Sequence, residues 1–102
     1  MIAPRRFLPS TGALMAFEAV ARLGSATAAA QELSLTQSGV SRQLRSLETQ
    51  IGASLVQREG RALVLTPVGR EYARTVREIL HRLAAASVAA RTNPDGGTLN
   101  LA

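Results

Sequence analysis

Helix start and stop signals divide the first half of this 102-residue chain into three short segments. Hydroxyl residues that can cap a helix N-terminus alternate with glycines that can end a helix. In chain order these are Ser10 or Thr11, Gly24, Ser25, Thr36 and Gly52. The signals predict a first helix to about Leu23, a second over 26–33 and a third within 35–52. The second helix is short and rich in alanine, so its neighbours can approach it closely.

The third segment, LTQSGVSRQLRSLETQIG, combines one apolar stripe with an unusual opposite face. The stripe has the spacing i, i+4, i+7, i+11 and consists of Val40, Leu44, Leu47 and Ile51. The opposite face carries short hydroxyls, an amide and two arginines, namely Gln37, Ser38, Ser41, Arg42 and Arg45. A solvated face commonly mixes Glu with Lys, whereas this face has no acid before Glu48. Small polar side chains of this kind let a helix approach a groove closely.

The chain after Gly52 changes to two short apolar runs around the sequence REGR, residues 58–61. The flanking β-branched residues and the central glycine predict a hairpin of two short strands. We expect its turn at Glu59-Gly60 and a basic tip formed by Arg58 and Arg61.

A long helix is predicted from Pro67 to about Thr92. Thr66 supplies a capping hydroxyl, Pro67 suits the first helical position, and no further proline follows before residue 94. At a rise of 1.5 Å per residue this helix is about 38 Å long, more than a small domain needs to cover its core. Its apolar or small residues recur at nearly heptad spacing, at Val68, Tyr72, Val76, Ile79, Leu83, Ala86 and Ala90. We call these residues the seam of the helix. We expect the seam to pack against the same helix of a second copy of the chain. The alternative is that the seam packs on its own domain.

The two ends of the chain carry weaker signals. Residues 1–9 are expected to form an irregular tail, because Pro4 and Pro9 oppose regular structure. At the other end, NPDGG breaks the long helix, and TLNLA alternates like the start of a strand. This strand is expected to open a second domain that the sequence does not include.

The excess of basic residues limits the kind of partner that the chain can bind. The chain has 12 basic and 7 acidic residues, a net charge of +5, and all its basic residues are arginine. Such an excess suits an anionic partner, either nucleic acid or less often a membrane surface. The absence of lysine has two explanations that composition does not separate. One is a codon bias toward G and C, and the other is the bidentate fit of arginine to phosphate and guanine.

The numbers of cysteine and histidine residues and the length of the apolar runs argue against catalysis, metal binding and membrane insertion. Cysteine is absent and His81 is the single histidine, so thiolate sites, disulfides and a histidine-based metal site are not expected. No apolar run approaches the ~20 residues that span a bilayer, and the N-terminus lacks a secretory signal. The sequence predicts a cytoplasmic protein that is not an enzyme and holds no metal or cofactor.

Three short helices followed by a basic hairpin form the layout of a winged helix-turn-helix, a mainly α fold. The major groove of B-DNA admits a helix, and the start of a recognition helix reaches base edges. We predict base-reading roles for Gln37, Ser38, Ser41 and Arg42. A second group of residues is predicted to contact the DNA backbone or to contact DNA from the wing. It consists of Ser25, Thr27, Thr36, Arg45, Arg58 and Arg61. One of the two hairpin arginines, not both, is expected to touch DNA.

Residues 17–72 resemble the DNA-binding domain of LysR-type transcriptional regulators. The strongest similarity lies in LTQSGVSRQLRSLETQIGASLVQR followed by LTPVG, and the order of these pieces is specific in combination. The resemblance extends over roughly 10–102. It implies a tail over 1–9, a winged helix-turn-helix domain over 10–66 and a linker or dimerisation helix over 67–92. Residues 93–102 then correspond to a hinge and the first strand of an effector-binding domain.

The resemblance also implies partners. Members of the family bind interrupted inverted repeats in promoter DNA as dimers, and full-length members also as dimers of dimers. The small-molecule co-inducer is bound by the effector domain, so no cofactor is expected in this part. The residues expected at the dimer interface are Tyr72, Val76, Ile79, Leu80, Leu83 and Ala86.

Several alternatives stay open at the level of sequence. The chain could instead be a helical module that binds an acidic partner, or a winged-helix regulator of another family. Glu48 or Thr49 could hold Arg45, and Glu59 could pair with a wing arginine. Gly39, inside the third helix, either allows close approach to DNA or is only tolerated there.

Overall fold

Each helix begins at a hydroxyl residue that the sequence predicts as its cap. The backbone N–H groups of Ala13, Ala28, Gly39 and Gly69 donate to the capping oxygens of Ser10, Ser25, Thr36 and Thr66, at 2.9–3.1 Å. Gly24 and Gly52 end their helices with φ of 69° and 84°, a left-handed conformation that glycine adopts without strain. Ser10, and not Thr11, is therefore the first cap.

The computed structural model describes residues 5–93 and residue 95. A 3₁₀ turn at Arg5–Phe7 is followed by α1 (Thr11–Leu23), α2 (Ala26–Leu33), α3 (Gln37–Ile51), β1 (Val56–Glu59), β2 (Ala62–Leu65) and α4 (Pro67–Thr92). The mainly α winged helix-turn-helix architecture is confirmed, as are the predicted bounds of the helices. The predicted strand over 98–102 lies outside the described residues, and the assignment of 93–102 to a hinge stays a prediction.

The core lies where α1, α2 and α3 meet the first turns of α4. Phe17 is fully buried at its centre, and its ring lies 5.7 Å from that of Tyr72, measured between centroids. Alanines fill much of the buried face of α1, so the helices approach closely around a single large aromatic side chain. The predicted stripe of α3 is confirmed, with Val40, Leu44 and Leu47 buried and Ile51 half-buried.

The wing is an antiparallel hairpin in which Val56 pairs with Leu65 and Glu59 with Ala62. The predicted turn at Glu59-Gly60 is wrong by one residue, since Glu59 belongs to β1 and the turn is Gly60-Arg61. A two-residue hairpin needs a positive φ at its first central position, and Gly60 supplies it with φ 63°. Arg58 consequently lies within β1, opposite Leu63, and only Arg61 stands at the tip.

The predicted seam of α4 is divided between two environments. Val76 is 2% exposed and belongs to the chain's own core, so its assignment to the dimer interface is wrong. Tyr72 and Leu80 are half-buried against the same core, because α4 crosses α1 there. Ile79 and Leu83 remain 48% and 49% exposed, and every residue of α4 from His81 onward is exposed. An interface role for Ile79, Leu83 and Ala86 stays a prediction.

The N-terminal segment is more ordered than its prolines predict. Arg5–Phe7 forms one 3₁₀ turn, and the side-chain amide of Gln50 donates to the carbonyl of Arg6 at 2.9 Å. This long-range contact supplies an order that local sequence preferences do not reveal. Residues 5–8 are therefore held against the end of α3.

Candidate nucleic-acid interface

The five polar residues predicted on α3 form one continuous surface. Gln37, Ser38, Arg42 and Arg45 are exposed, Ser41 is half-buried, and all five line one shallow depression. We call these five residues the α3 surface. The buried stripe on the opposite side fixes its orientation, because turning the helix would expose the core. The α3 surface thus presents amide, hydroxyl and guanidinium groups together to the solvent.

The arginines of the α3 surface and the wing carry uncompensated charge. Within residues 5–93, no acidic side chain lies within 4.0 Å of the guanidinium nitrogens of Arg42, Arg45, Arg58 or Arg61. Pairing of Glu59 with a wing arginine is therefore not found. The four positive charges of α3 and the wing are therefore available to an anion.

Glu48 is turned away from Arg45 and holds the base of the wing. Its Oε2 accepts hydrogen bonds from the backbone N–H groups of Leu55 at 2.7 Å and Val56 at 3.3 Å. The alternative in which Glu48 neutralises Arg45 is thus wrong. Sequence reasoning missed this function of Glu48, because the partners lie seven and eight residues away, across the stop at Gly52.

The wing base is fixed from α1 and α4 as well. The Thr66 hydroxyl donates to the Ser54 carbonyl at 2.7 Å, and the Thr66 backbone N–H donates to the Leu55 carbonyl at 3.0 Å. On the second strand, the Leu63 N–H donates to the Gly24 carbonyl at 3.0 Å. The strands that carry Arg58 and Arg61 therefore have a defined position relative to α3.

Three of the hydroxyls predicted to meet a DNA backbone lie at helix starts. Ser25 and Thr36 use their oxygens to cap α2 and α3, and Thr36 Oγ1 lies 3.3 Å from Ser38 Oγ. Thr27 is exposed in the first turn of α2. The caps give Ser25 and Thr36 a structural role, and their contact with DNA stays a prediction.

The cap at Thr36 offers a structural reason for Gly39. A Cβ added at this residue would lie 3.0 Å from Thr36 Oγ1, tighter than ordinary contacts. Glycine in a helix costs about 1 kcal/mol relative to alanine, and here it makes room for the capping hydroxyl. Close approach to DNA is not needed to explain this residue.

The acidic residues of α1 and α2 form ion pairs with arginines. Arg22 donates to both oxygens of Glu18, at 2.9 and 3.1 Å, and also to both oxygens of Glu32. Donation to the carboxylates of Glu32 and then Glu18 raises the pKa of the Arg22 guanidinium, and the hydrogen bonds that Glu32 accepts from Arg22 lower the pKa of Glu32. Arg77 of α4 lies 3.8 Å from Glu18. We call Glu18, Arg22, Glu32 and Arg77 the Arg22 cluster, in which the acids of α1 and α2 are paired with arginines.

The described part of the chain offers neither a metal-binding cluster nor a membrane-spanning helix. Residues 5–93 and 95 contain no group of three or more His, Cys, Asp or Glu side chains placed to hold a metal ion. None of the helices in these ranges is both long and apolar enough to cross a membrane.

Comparisons with known proteins agree with this geometry. Residues 11–70 match the family model described as "Bacterial regulatory helix-turn-helix protein, lysR family". The chain is 49% identical over 73 residues to the RuBisCO operon transcriptional regulator of Allochromatium vinosum. The match covers 69% of this chain and 24% of that protein. The chain is 44% identical over 80 residues to the glycine cleavage system transcriptional activator of Escherichia coli K12, covering 78% of this chain and 26% of that protein.

A solved structure shows the same fold. The CbnR DBD in complex with DNA superposes with a TM-score of 0.74 at 31% sequence identity, covering 81% of this chain and 95% of that one. The two curated relatives are much longer than this chain, which spans about a quarter of their length.

Proposed function

Because the chain belongs to the LysR family of bacterial regulatory helix-turn-helix proteins, we propose that it binds double-stranded promoter DNA and regulates transcription. The α3 surface carries this proposal. It combines two unpaired arginines with short polar side chains on a helix whose orientation the core fixes. A helix with these groups at its start can enter the major groove without a steric or charge penalty.

The side chains of the α3 surface suit base edges. Arg42 can donate two hydrogen bonds to guanine, Gln37 can pair with adenine, and Ser38 and Ser41 can bond to several bases. Arg45 lies further along α3, and its uncompensated charge suits a phosphate. The wing presents Arg58 and Arg61 on a hairpin held by Glu48, and one of the two is proposed to contact an adjacent stretch of backbone.

The proposal includes a homodimer. The outer half of α4 exposes Ile79, Leu83 and Ala86, which its own domain leaves uncovered. Two copies related by a twofold axis present two α3 surfaces, and a twofold pair reads an inverted repeat. An assembly of two such dimers is proposed for a full-length protein.

The proposed role is regulatory, in the cytoplasm, and without a cofactor bound to this part of the protein. A small-molecule co-inducer is proposed to act through a further domain, since the curated relatives are about three times as long. The 102-residue chain should therefore bind DNA in the same way with and without metabolites.

Selection of binding sites from random duplex DNA tests the proposal. We expect an interrupted palindrome, with affinity that falls linearly on a log–log scale as salt rises. The control is a scrambled duplex of the same length and composition. Recovery of no motif, with equal salt slopes on both duplexes, would contradict sequence-specific binding. Absence of DNA binding, together with self-association through α4, would favour a helical interaction module for an acidic partner.

A further inference from the structure

The two arginines at the start of the described chain are held beside α3 by a specific contact. The Leu8 N–H donates to the Arg5 carbonyl at 3.0 Å, which closes the 3₁₀ turn. The Gln50 amide donates to the Arg6 carbonyl at 2.9 Å, joining residues 44 positions apart. The turn therefore adjoins the C-terminal end of α3 and does not trail away from the domain.

The charges of this turn are available to a partner. Arg5 and Arg6 are exposed, and within residues 5–93 no carboxylate lies within 4.0 Å of either guanidinium. The Arg6 guanidinium lies 4.8 Å from the centroid of the Phe7 ring, a cation–π contact that limits its directions but keeps its charge.

The turn continues the basic surface of α3. Gln50, which holds it, shares a shallow depression with Arg42, Arg45, Ser46 and Thr49. No acidic residue lines this depression. A duplex that lies along the α3 surface would therefore meet further positive charge next to Gln50.

We propose that the Arg5–Phe7 turn is an additional DNA contact that neutralises backbone phosphates beside the end of α3. This inference rests on the proposed DNA binding and extends its footprint. Arginines outside the recognition helix fit phosphates, which position a protein on the duplex without reading sequence. Gln50 acts as a positioning residue, because it holds the turn in place without supplying charge.

The test compares Arg5→Ala/Arg6→Ala with the unchanged 102-residue chain, on a selected duplex and on its scrambled control. Each phosphate contact contributes about 0.9 to the salt slope, so a fourfold rise in salt weakens binding about 3.5-fold per contact. We expect the affinity ratio of wild type to variant to fall between 50 and 200 mM salt by about 12-fold for one bound subunit that loses both contacts, and by about 150-fold for the proposed homodimer. The loss should be equal on both duplexes.

Arg82→Ala/Arg91→Ala is the matched control, since it removes the same charge from the exposed outer half of α4. We expect its salt slope to equal that of the wild type. A slope for Arg5→Ala/Arg6→Ala that matches this control would overturn the inference while leaving the proposed function intact. Failure of the wild type to bind any duplex would instead reject the proposed function.

Gln50→Ala separates the anchoring of the turn from its charge. In the wild-type chain it should weaken binding to both duplexes, although no charge is removed. In the Arg5→Ala/Arg6→Ala background it should have no further effect. An equal loss in both backgrounds would show that Gln50 contacts DNA itself, and would contradict its role as the anchor. Circular dichroism checks that every variant keeps its helices.

Discussion

At the scale of single residues, Arg42 has the position that best suits the proposed contact with a base. It is exposed in the second turn of α3, lines the same depression as Gln37 and Ser41, and has no acidic partner within 4.0 Å among residues 5–93. Ser38 and Gly39, one turn before it on α3, are small.

Arg42→Ala should weaken binding to the selected duplex by about 1–3 kcal/mol and relax the preference at one base pair. The physical reason is the loss of two hydrogen bonds to one guanine. Titration of the selected duplex and its single-position variants measures both effects. A loss that is uniform across all duplexes would show a phosphate contact and would refute the base-reading role.

Gly69 is required by close approach of backbone to backbone. A Cβ at this residue would lie 1.9 Å from the Leu55 carbonyl oxygen. Gly69→Ala should destabilise the fold by about 1–3 kcal/mol or more, since α4 must move away from the wing base. Thermal unfolding should show a decrease in Tm of about 4–8 °C per kcal/mol.

Gly12→Ala is the control for this substitution. Its added Cβ would lie 3.3 Å from the flexible end of Gln43, within a helix that favours alanine. Its Tm should equal or exceed that of the wild type. A similar Tm for the Gly69 and Gly12 variants would disprove the steric explanation.

Glu48 should influence DNA binding through the wing. Glu48→Ala leaves the N–H groups of Leu55 and Val56 without their acceptor, which costs about 1–3 kcal/mol of stability. Binding is measured well below the Tm of the less stable protein. Under these conditions, we expect Glu48→Ala to weaken DNA binding in the wild-type chain. In the Arg58→Ala/Arg61→Ala background, we expect Glu48→Ala to cause no further loss of binding. Equal losses in both backgrounds would mean that Glu48 acts only on α3. Glu48→Gln, which keeps one acceptor oxygen, should restore part of the affinity.

At the scale of elements, α4 has two functions along its length. Its first turns pack on Phe17 and the wing base, whereas its outer half exposes Ile79 and Leu83. Leu83 also lines a groove with Met15 of α1 and Leu33 of α2. Apolar surface of this kind suits a second copy of the chain.

Leu83→Asp should shift the chain toward monomers without unfolding it. The substitution places a charge on the proposed interface, while the 49% exposure of Leu83 limits its part in the core. Sedimentation velocity over a concentration series measures the change. Ala85→Asp, on the opposite side of the exposed helix, should leave self-association unchanged. Equal effects of the two variants would argue against this interface.

The elements also show where sequence reasoning succeeds. Caps and stops are local, so Ser10, Ser25, Thr36 and Gly52 predict the helix bounds correctly. Periodicity identifies the apolar side of α4 but not what covers it, so Val76 is assigned to the wrong partner. The turn at Gly60 differs by one residue, because strand pairing extends to Glu59. The contacts of Glu48 and Gln50 have no local signature and need the assembled fold.

At the scale of the whole molecule, positive charge is in excess. Among residues 5–93, the α3 surface, the wing and the Arg5–Phe7 turn present arginines without acidic partners, whereas Glu18 and Glu32 are bound in the Arg22 cluster. A net charge of +5 gives this small domain a positive field that attracts an anionic duplex.

The Arg22 cluster should make stability depend on acidic pH. Because Arg22 lowers the pKa of Glu32, the contribution of this ion pair is present above the ordinary value of 4.5 and is lost as pH falls through the lower folded value. We expect Glu32→Gln to have a lower Tm than wild type near neutral pH and a smaller decrease on acidification. Circular dichroism melts across this range provide the measurement. Glu78→Gln, an exposed carboxylate on α4, serves as control, and identical pH profiles for wild type and Glu32→Gln would contradict the expectation.

The packing of α4 on α1 has a mechanical consequence. Val76 is buried and Leu80 is half-buried against the core, so the part of α4 that extends beyond the domain begins at His81 and is about 18 Å long. A tilt of about 10° at its base moves the far end by roughly 3 Å, about one base-pair step of B-DNA. In the proposed dimer, the spacing between the two α3 surfaces is thus adjusted mainly where Leu80 meets α1. Substitutions there should change operator spacing more than substitutions of similar size near Thr92.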